Sequence, residues 1–155
     1  RSRVACRAGR HTGTLLTYAA RQGQADAVRL LLESRASVGS TTGTGNSALH
    51  IACDAEHLEI VALLSDSGVA INQARDDGRT PLHIACEMGH LESARVLCAA
   101  RADVTVAADS GDTPLHIACE FGHPEVARLL VAAGAALDDQ TTDEGYTPLH
   151  YACYQ

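Results

Sequence analysis

An all-α solenoid of stacked helix–turn–helix units is the fold this sequence predicts, and two observations predict it. The octapeptide TPLHIACE stands at residues 80–87 and again at 113–120, flanked by SALHIACD at 47–54, TPLHYACY at 147–154 and a weaker TLLTYAAR at 14–21. The starts at Thr14, Ser47, Thr80 and Thr113 lie 33 residues apart, and the last step, to Thr147, is 34. A fixed period of this length marks an array in which each unit packs only on its neighbours. Composition agrees: the 155 residues are 46% hydrophobic yet hold no Trp and one Phe, which suits thin layers of Ala, Leu, Val and Ile rather than one thick core.

Each element of a unit follows from the third copy, residues 80–112. Thr80 is a helix N-cap, and Pro81 suits the first helical position, where its missing N–H is not needed. Leu82, Ala85 and Cys86 then recur at helical spacing on one side. His83 lies three residues after the cap, where its ring can bond back to the loop backbone as Glu or Gln does in a capping box. Gly89 ends this short helix in a position that favours a left-handed backbone. HLESARVLCAA forms a second helix, with Glu92 at its positive end and Leu91, Ala94, Val96 and Leu97 available for packing. SGD turns the chain into the next copy. One such unit cannot bury its apolar side alone, whereas a stack can.

The 33-residue period with T-P-L-H-x-A resembles the ankyrin repeat, a pattern well enough established to be a standard example of such periods. The resemblance spans Thr14 to Gln155. It implies an α-solenoid of paired antiparallel helices with hairpin-like loops along one edge. It also implies a concave surface of inner helices and loops that holds protein partners, and no catalysis. The expected organisation is a basic lead over residues 1–13 and a repeat domain over 14–155, with units 14–46, 47–79, 80–112 and 113–146 and a partial unit 147–155.

Departures from the pattern carry their own expectations. Unit one has Thr17 where the others have His, and lacks the Pro, as a terminal cap would. Glu56 replaces the inter-helix Gly, which predicts a strained turn, and Arg35 and Arg101 stand where Gly68 and Gly134 end a second helix. The extra residue before Thr147 falls in DDQTTDEGY, a loop that tolerates length changes. The last unit stops after one helix with its apolar side open, which predicts that the natural chain continues.

The net charge of −7 conceals a gradient. Residues 1–46 hold seven Arg against Asp26 and Glu33, a net +5, while residues 47–155 hold five Arg against seventeen acids, a net −12. The acidic body argues against a nucleic-acid partner, because phosphate neutralisation drives that affinity. No run of 18 apolar residues is present to span a membrane, and no signal-peptide pattern is found. Basic protein partners are favoured, mostly through faster encounter.

His-x-x-Cys recurs at His50/Cys53, His83/Cys86, His116/Cys119 and His150/Cys153, a spacing that could chelate zinc. Against this, the pattern follows the repeat, and equivalent positions on stacked helices lie roughly 8–10 Å apart, too far for one tetrahedral metal. The same separation disfavours disulfides among Cys53, Cys86, Cys119 and Cys153. Buried thiols suit a reducing intracellular compartment, cytoplasmic or nuclear. His57, His90 and His123 recur ten residues into their units, as general bases or, on the simpler reading, as turn-stabilising residues. GSTTGTGNS at 39–47 lacks the Lys and spacing of a nucleotide loop. RSRVACRAGR at 1–10 is a solvated end or a phosphate contact. Asn72 is a turn residue, or by the resemblance a hydroxylation substrate.

In a repeat scaffold the residues that differ between copies make the binding site. By resemblance the concave face takes Arg21 and Gln22, Asp54, Glu87 and Met88, Glu120 and Phe121, and Tyr154. Loop tips add Asn46, Asp76, Asp77, Arg79, Asp109, Ser110, Asp112, Asp143, Glu144 and Tyr146. Met88 and Phe121 are the chain's only Met and Phe and fall at equivalent positions, flanked by acids. An apolar centre in a charged rim is how binding hot spots are built. The expected function is therefore a scaffold or adaptor module binding a protein segment whose basic residues flank an apolar anchor, without cofactor, metal or catalysis. A passive spacer between other domains and a metal-binding His-x-x-Cys protein are the alternatives.

Overall fold

The computed structural model describes residues 15–34, 39–142 and 144–153. Expectations for residues 1–14, Arg35, Asp143, Tyr154 and Gln155 lie outside them. Among the described residues the secondary structure is wholly helical. Inner helices are α1 (Leu15–Arg21), α3 (Ala48–Asp54), α5 (Pro81–Glu87), α7 (Pro114–Glu120) and α9 (Pro148–Cys153). Outer helices are α2 (Ala25–Glu33), α4 (Leu58–Asp66), α6 (Leu91–Ala99) and α8 (Pro124–Ala132). Each inner helix packs on the next inner helix and on its own outer partner, and the outer helices pack in a second row.

The core is a string of small layers between the two rows. Leu49, Leu82 and Leu115 are at most 2% exposed, and Leu64, Leu97 and Leu130 are fully buried on the outer helices that face them. Cys53 and Cys86 fill the place that Ala20 takes in unit one, and burial pushes both thiols well up. On the last described inner helix Leu149, the counterpart of Leu115, is 70% exposed. At the other end of the described residues Leu15, Tyr18 and Leu30 are exposed.

The TPLH histidine holds each layer to the next. The backbone N–H of Ser47, Thr80, Thr113 and Thr147 donates to Nδ1 of His50, His83, His116 and His150 at 3.0–3.2 Å, closing the predicted capping box. The other ring nitrogen does what the sequence does not reveal. Nε2 of His50 donates to the Arg79 carbonyl at 3.0 Å, and that of His83 to the Asp112 carbonyl at 3.1 Å. Nε2 of His116 reaches the carbonyls of Asp139 and Tyr146. Nδ1 must accept and Nε2 must donate, so the neutral imidazole is required. Burial pulls His83 down to about 4 from the ordinary 6.5 and lowers His50 as well. With both nitrogens committed, His50, His83 and His116 keep no lone pair for the metal that His-x-x-Cys suggested.

A second set of histidines bonds backwards. His57 Nε2 lies 3.4 Å from the Arg21 carbonyl and His123 Nε2 lies 3.1 Å from the Glu87 carbonyl, each ring stacked over the inter-helix glycine of the preceding unit. A Cβ on Gly89 would stand 2.6 Å from the His123 ring. At the corresponding place in unit two Glu56 does carry a Cβ, and there His90 uses Nδ1 instead, to the Cys53 carbonyl at 2.8 Å. The expected strain is present: Glu56 has φ 55° and Arg101 φ 65°, the left-handed values that Gly89 (70°) and Gly68 (77°) adopt without penalty.

A backbone bond closes each loop, Thr42 N–H to Asn46 O, Arg75 to Arg79, Ala108 to Asp112 and Thr141 to Tyr146, all at 2.9 Å, and in the first three a second runs from the glycine N–H back to residue 42, 75 or 108. The last spans one residue more, which places the extra residue in the predicted loop. Successive loops also bond to each other, as Asp109 N–H to Asp77 O at 3.1 Å. This approach is close enough that a Cβ on Gly78 would meet Asp109 N at 2.7 Å.

Two outcomes follow. Arg101→Gly raises stability by up to about 1 kcal/mol in thermal or urea unfolding, since it removes a left-handed non-glycine residue; an unchanged or lower midpoint contradicts the strain. A base held below its unfolded value stabilises the fold above that value, and the contribution is lost as pH falls from about 6.5 through about 4. The wild-type unfolding free energy therefore declines across that window, whereas His83→Ala loses roughly 2–4 kcal/mol at pH 7 and shows a shallower decline. Parallel pH profiles for the two proteins would exclude His83 as the cause.

Candidate functional site

The loops and the C-terminal ends of the inner helices face each other, because the histidine bridges fix each loop against the helix that precedes it. The angle between them is a groove. At its N-terminal end Arg21, Asn46, His50, Ile51, Asp54, Arg75 and Ile84 line a hollow of about 90 Å³. Ile51, Ile84 and Ile117, nearly buried, make its floor, and Tyr151 takes the same place on α9.

The structure brings together most of the residues that sequence reasoning assigned to this surface, in altered roles. Arg21, Gln22, Asp54, Asp76, Asp109, Ser110 and Glu144 are exposed. Met88 and Phe121 are the C-cap residues of α5 and α7, 46% and 44% exposed. Asn46 is half-buried and its amide donates to Thr44 Oγ1 at 2.8 Å. Tyr146 stacks on His150 with ring centres 5.7 Å apart. Asp143 and Tyr154 lie outside the described residues.

Four of these residues, Asp77, Arg79, Glu87 and Asp112, differ from the expectation of free loop-tip or concave charges. Asp77 is bound by Arg75 in a fork, Nε to Oδ1 and Nη2 to Oδ2, each 2.7 Å, and that guanidinium holds its carboxyl down at about 2. Glu87 is already paired: Arg79 Nη1 donates to its Oε2 at 2.7 Å, joining the loop to the end of α5. Asp112 is no exposed tip but 8% exposed, with Ser110 Oγ donating to its Oδ2 at 2.6 Å. A loop folded against a helix has one side that water cannot reach, and position 112 is on it.

The surface is also less uniformly acidic than its composition suggests. Arg21, Arg75 and Arg79 lie at the end formed by units one to three. Towards units four and five the counterparts are acids and tyrosines: Asp112, Glu120, Glu144, Tyr146 and Tyr151. Burial, followed by Asp112 and partly opposed by Arg79, raises the Glu120 carboxyl above its usual range. Burial and the nearby Asp112 and Glu120 push the Tyr151 phenol up to about 12. Sequence reasoning missed Arg75 and Tyr151; aligning the copies at 33 and 34 residues would have found both as departures from their counterparts. Among the described residues no group of three or more His, Cys, Asp and Glu could hold a metal ion, and no helix is long and apolar enough to cross a membrane.

The Arg79–Glu87 pair is three-quarters covered, which lifts it above an ordinary surface bridge. A double-mutant cycle with Arg79→Ala and Glu87→Ala gives a coupling of about 1 kcal/mol in unfolding free energy. A coupling indistinguishable from zero would mean the loop is held by its backbone bonds alone.

Comparison with known families completes the description. A family model for ankyrin repeats (3 copies) matches residues 16–108 and again 102–155. No curated protein matches the chain. Ankyrin repeats are generally protein–protein interaction modules and are typically not enzymes. With the period, the paired helices and a match over nearly its whole length, this chain belongs to the ankyrin repeat family.

Proposed function

We propose that this domain is a non-catalytic scaffold or adaptor module whose groove holds a segment of a partner protein. The observation that carries the reading is the placing of Met88 and Phe121. The chain's only Met and only Phe are half out of the protein at matching helix ends, one unit apart. A folded chain with few aromatic residues gains nothing internally from leaving these two exposed. Together they form an apolar centre between an Arg-bearing end and an acidic end.

The bound segment carries an apolar anchor for this centre and basic residues directed at Glu120 and Glu144. Its other end meets Arg21 and the exposed Asp54 and Asp76. The partner is a protein rather than nucleic acid, since the acidic half would repel phosphate. Buried thiols at Cys53 and Cys86 suit an intracellular, reducing compartment.

The test is capture of partners from cell lysate by the wild type beside a Met88→Arg/Phe121→Arg variant, identified by mass spectrometry after circular dichroism shows both folded. Partners lost with the variant support the groove; partners retained equally by both refute it. For any partner so found, Phe121→Ala weakens binding by more than about 1 kcal/mol, and added salt slows association.

A further inference from the structure

Sulfur is divided unevenly between the scaffold and its surface. The chain has six Cys and a single Met. Cys53 and Cys86 are fully buried in the core, and Cys98 and Cys119 are half-buried against it. Burial pushes all four thiols up, so little of the thiolate that oxidants attack is present. Met88 is the opposite case. It takes no part in the core, its side chain is 46% exposed, and a thioether reacts without first losing a proton.

The backbone around Met88 is braced. Its N–H donates to the Ile84 carbonyl at 3.0 Å, and His123 Nε2 donates to the Glu87 carbonyl at 3.1 Å while the ring covers Gly89. Position 88 is therefore held at the groove, and a chemical change there is presented to whatever the groove binds. The equivalent places hold Gln22, Ala55 and Phe121. Of the four, Met88 alone has a side chain that peroxide converts from apolar to polar. A sulfoxide is polar and chiral where the thioether is apolar and flexible, and the change disrupts Met-lined interfaces.

We infer that Met88 is a reversible oxidation site through which peroxide switches off binding at the apolar centre. This rests on the groove reading and adds its regulation. The step is a two-electron oxygen transfer. A sulfur lone pair attacks one peroxide oxygen, and the S–O bond forms as the O–O bond breaks. The departing hydroxide takes the proton of the transferred hydroxyl and leaves as water, so sulfur is oxidised and peroxide reduced. A thiol-dependent methionine sulfoxide reductase reverses the change: its thiols give up two electrons as a disulfide, and the oxygen leaves as water. With no second Met in the chain, this chemistry alters the groove and leaves the core as it was.

The test treats the folded chain with dilute hydrogen peroxide and maps the added oxygen by peptide mass spectrometry, before and after dithiothreitol restores oxidised thiols such as exposed Cys153. Met88 should carry the oxygen while Cys53, Cys86, Cys98 and Cys119 stay unmodified, with the melting temperature unchanged. Capture of the partners that depend on Met88 and Phe121 should fall at least about fivefold, the factor that matches loss of a hot-spot contact. Methionine sulfoxide reductases should restore it. Met88→Leu, whatever its own level of capture, should show no change on peroxide treatment, and Met88→Gln should resemble the oxidised wild type. Oxidation of the four thiols ahead of Met88, a lowered melting temperature, capture that survives oxidation, or an equal loss in Met88→Leu would each overturn the inference. If capture depends on Met88 and Phe121 yet ignores peroxide, this inference alone falls. If the Met88→Arg/Phe121→Arg variant captures what the wild type does, the groove reading falls and the switch with it.

Discussion

In units two to four a buried imidazole accepts a hydrogen bond at Nδ1 from the N-cap amide of its own helix and donates one from Nε2 to a carbonyl 23 to 30 residues further on. A repeat array has no central core, so whatever couples neighbouring layers sets both its cooperativity and its shape. Apolar packing between Leu49, Leu82 and Leu115 is non-directional and would allow the layers to slip. The imidazole bridges are directional and fix each loop against the inner helix of the unit before it. Histidines 57, 90 and 123 add bonds in the opposite sense, so each full unit is held from both sides.

That frame confines the differences between copies to a few equivalent places. With the loop and helix end held in one register, each unit offers the same few places to whatever residue the sequence puts there. The loop-closing place holds Asn46, Arg79, Asp112 and Tyr146 in turn; the helix-end place holds Gln22, Ala55, Met88 and Phe121. Arg79 uses its place to brace the scaffold through Glu87, whereas Asp112 turns its carboxyl group inward, where Ser110 Oγ donates to it. One backbone geometry thus yields an ion pair in one unit and a buried carboxyl group in the next.

The tolerance of the frame has limits that the departures expose. Glu56 and Arg101 hold left-handed backbone without glycine, and the fold accommodates Glu56 locally: His90 bonds through Nδ1 while its Nε2 lies 3.7 Å from the Glu56 carboxylate. The extra residue of the last loop is absorbed because its closing bond lengthens by one residue while His116 still reaches both Asp139 and Tyr146. Such adjustments cost little in a solenoid, where a disturbance is shared with neighbouring units rather than with the whole core.

The fold was legible in the sequence because the signals that make it are local. Thr80–Pro81 starts a helix, Gly89 ends it, and a 33-residue period stacks the result; none of these needs a distant partner to be recognised. The exposed Met88 and Phe121 were legible for the same reason, as odd residues in a regular place. What a side chain meets across 29 or 36 residues was not. The forward reach of His83 Nε2, the backward reach of His123, the capture of Glu87 by Arg79 and the burial of Asp112 all depend on how a loop lies against a helix of another unit. The sequence alone determined that these units stack and which positions vary between them. Only the tertiary structure decided which charges are consumed inside the scaffold and which stay exposed, because that depends on distances between groups far apart along the chain.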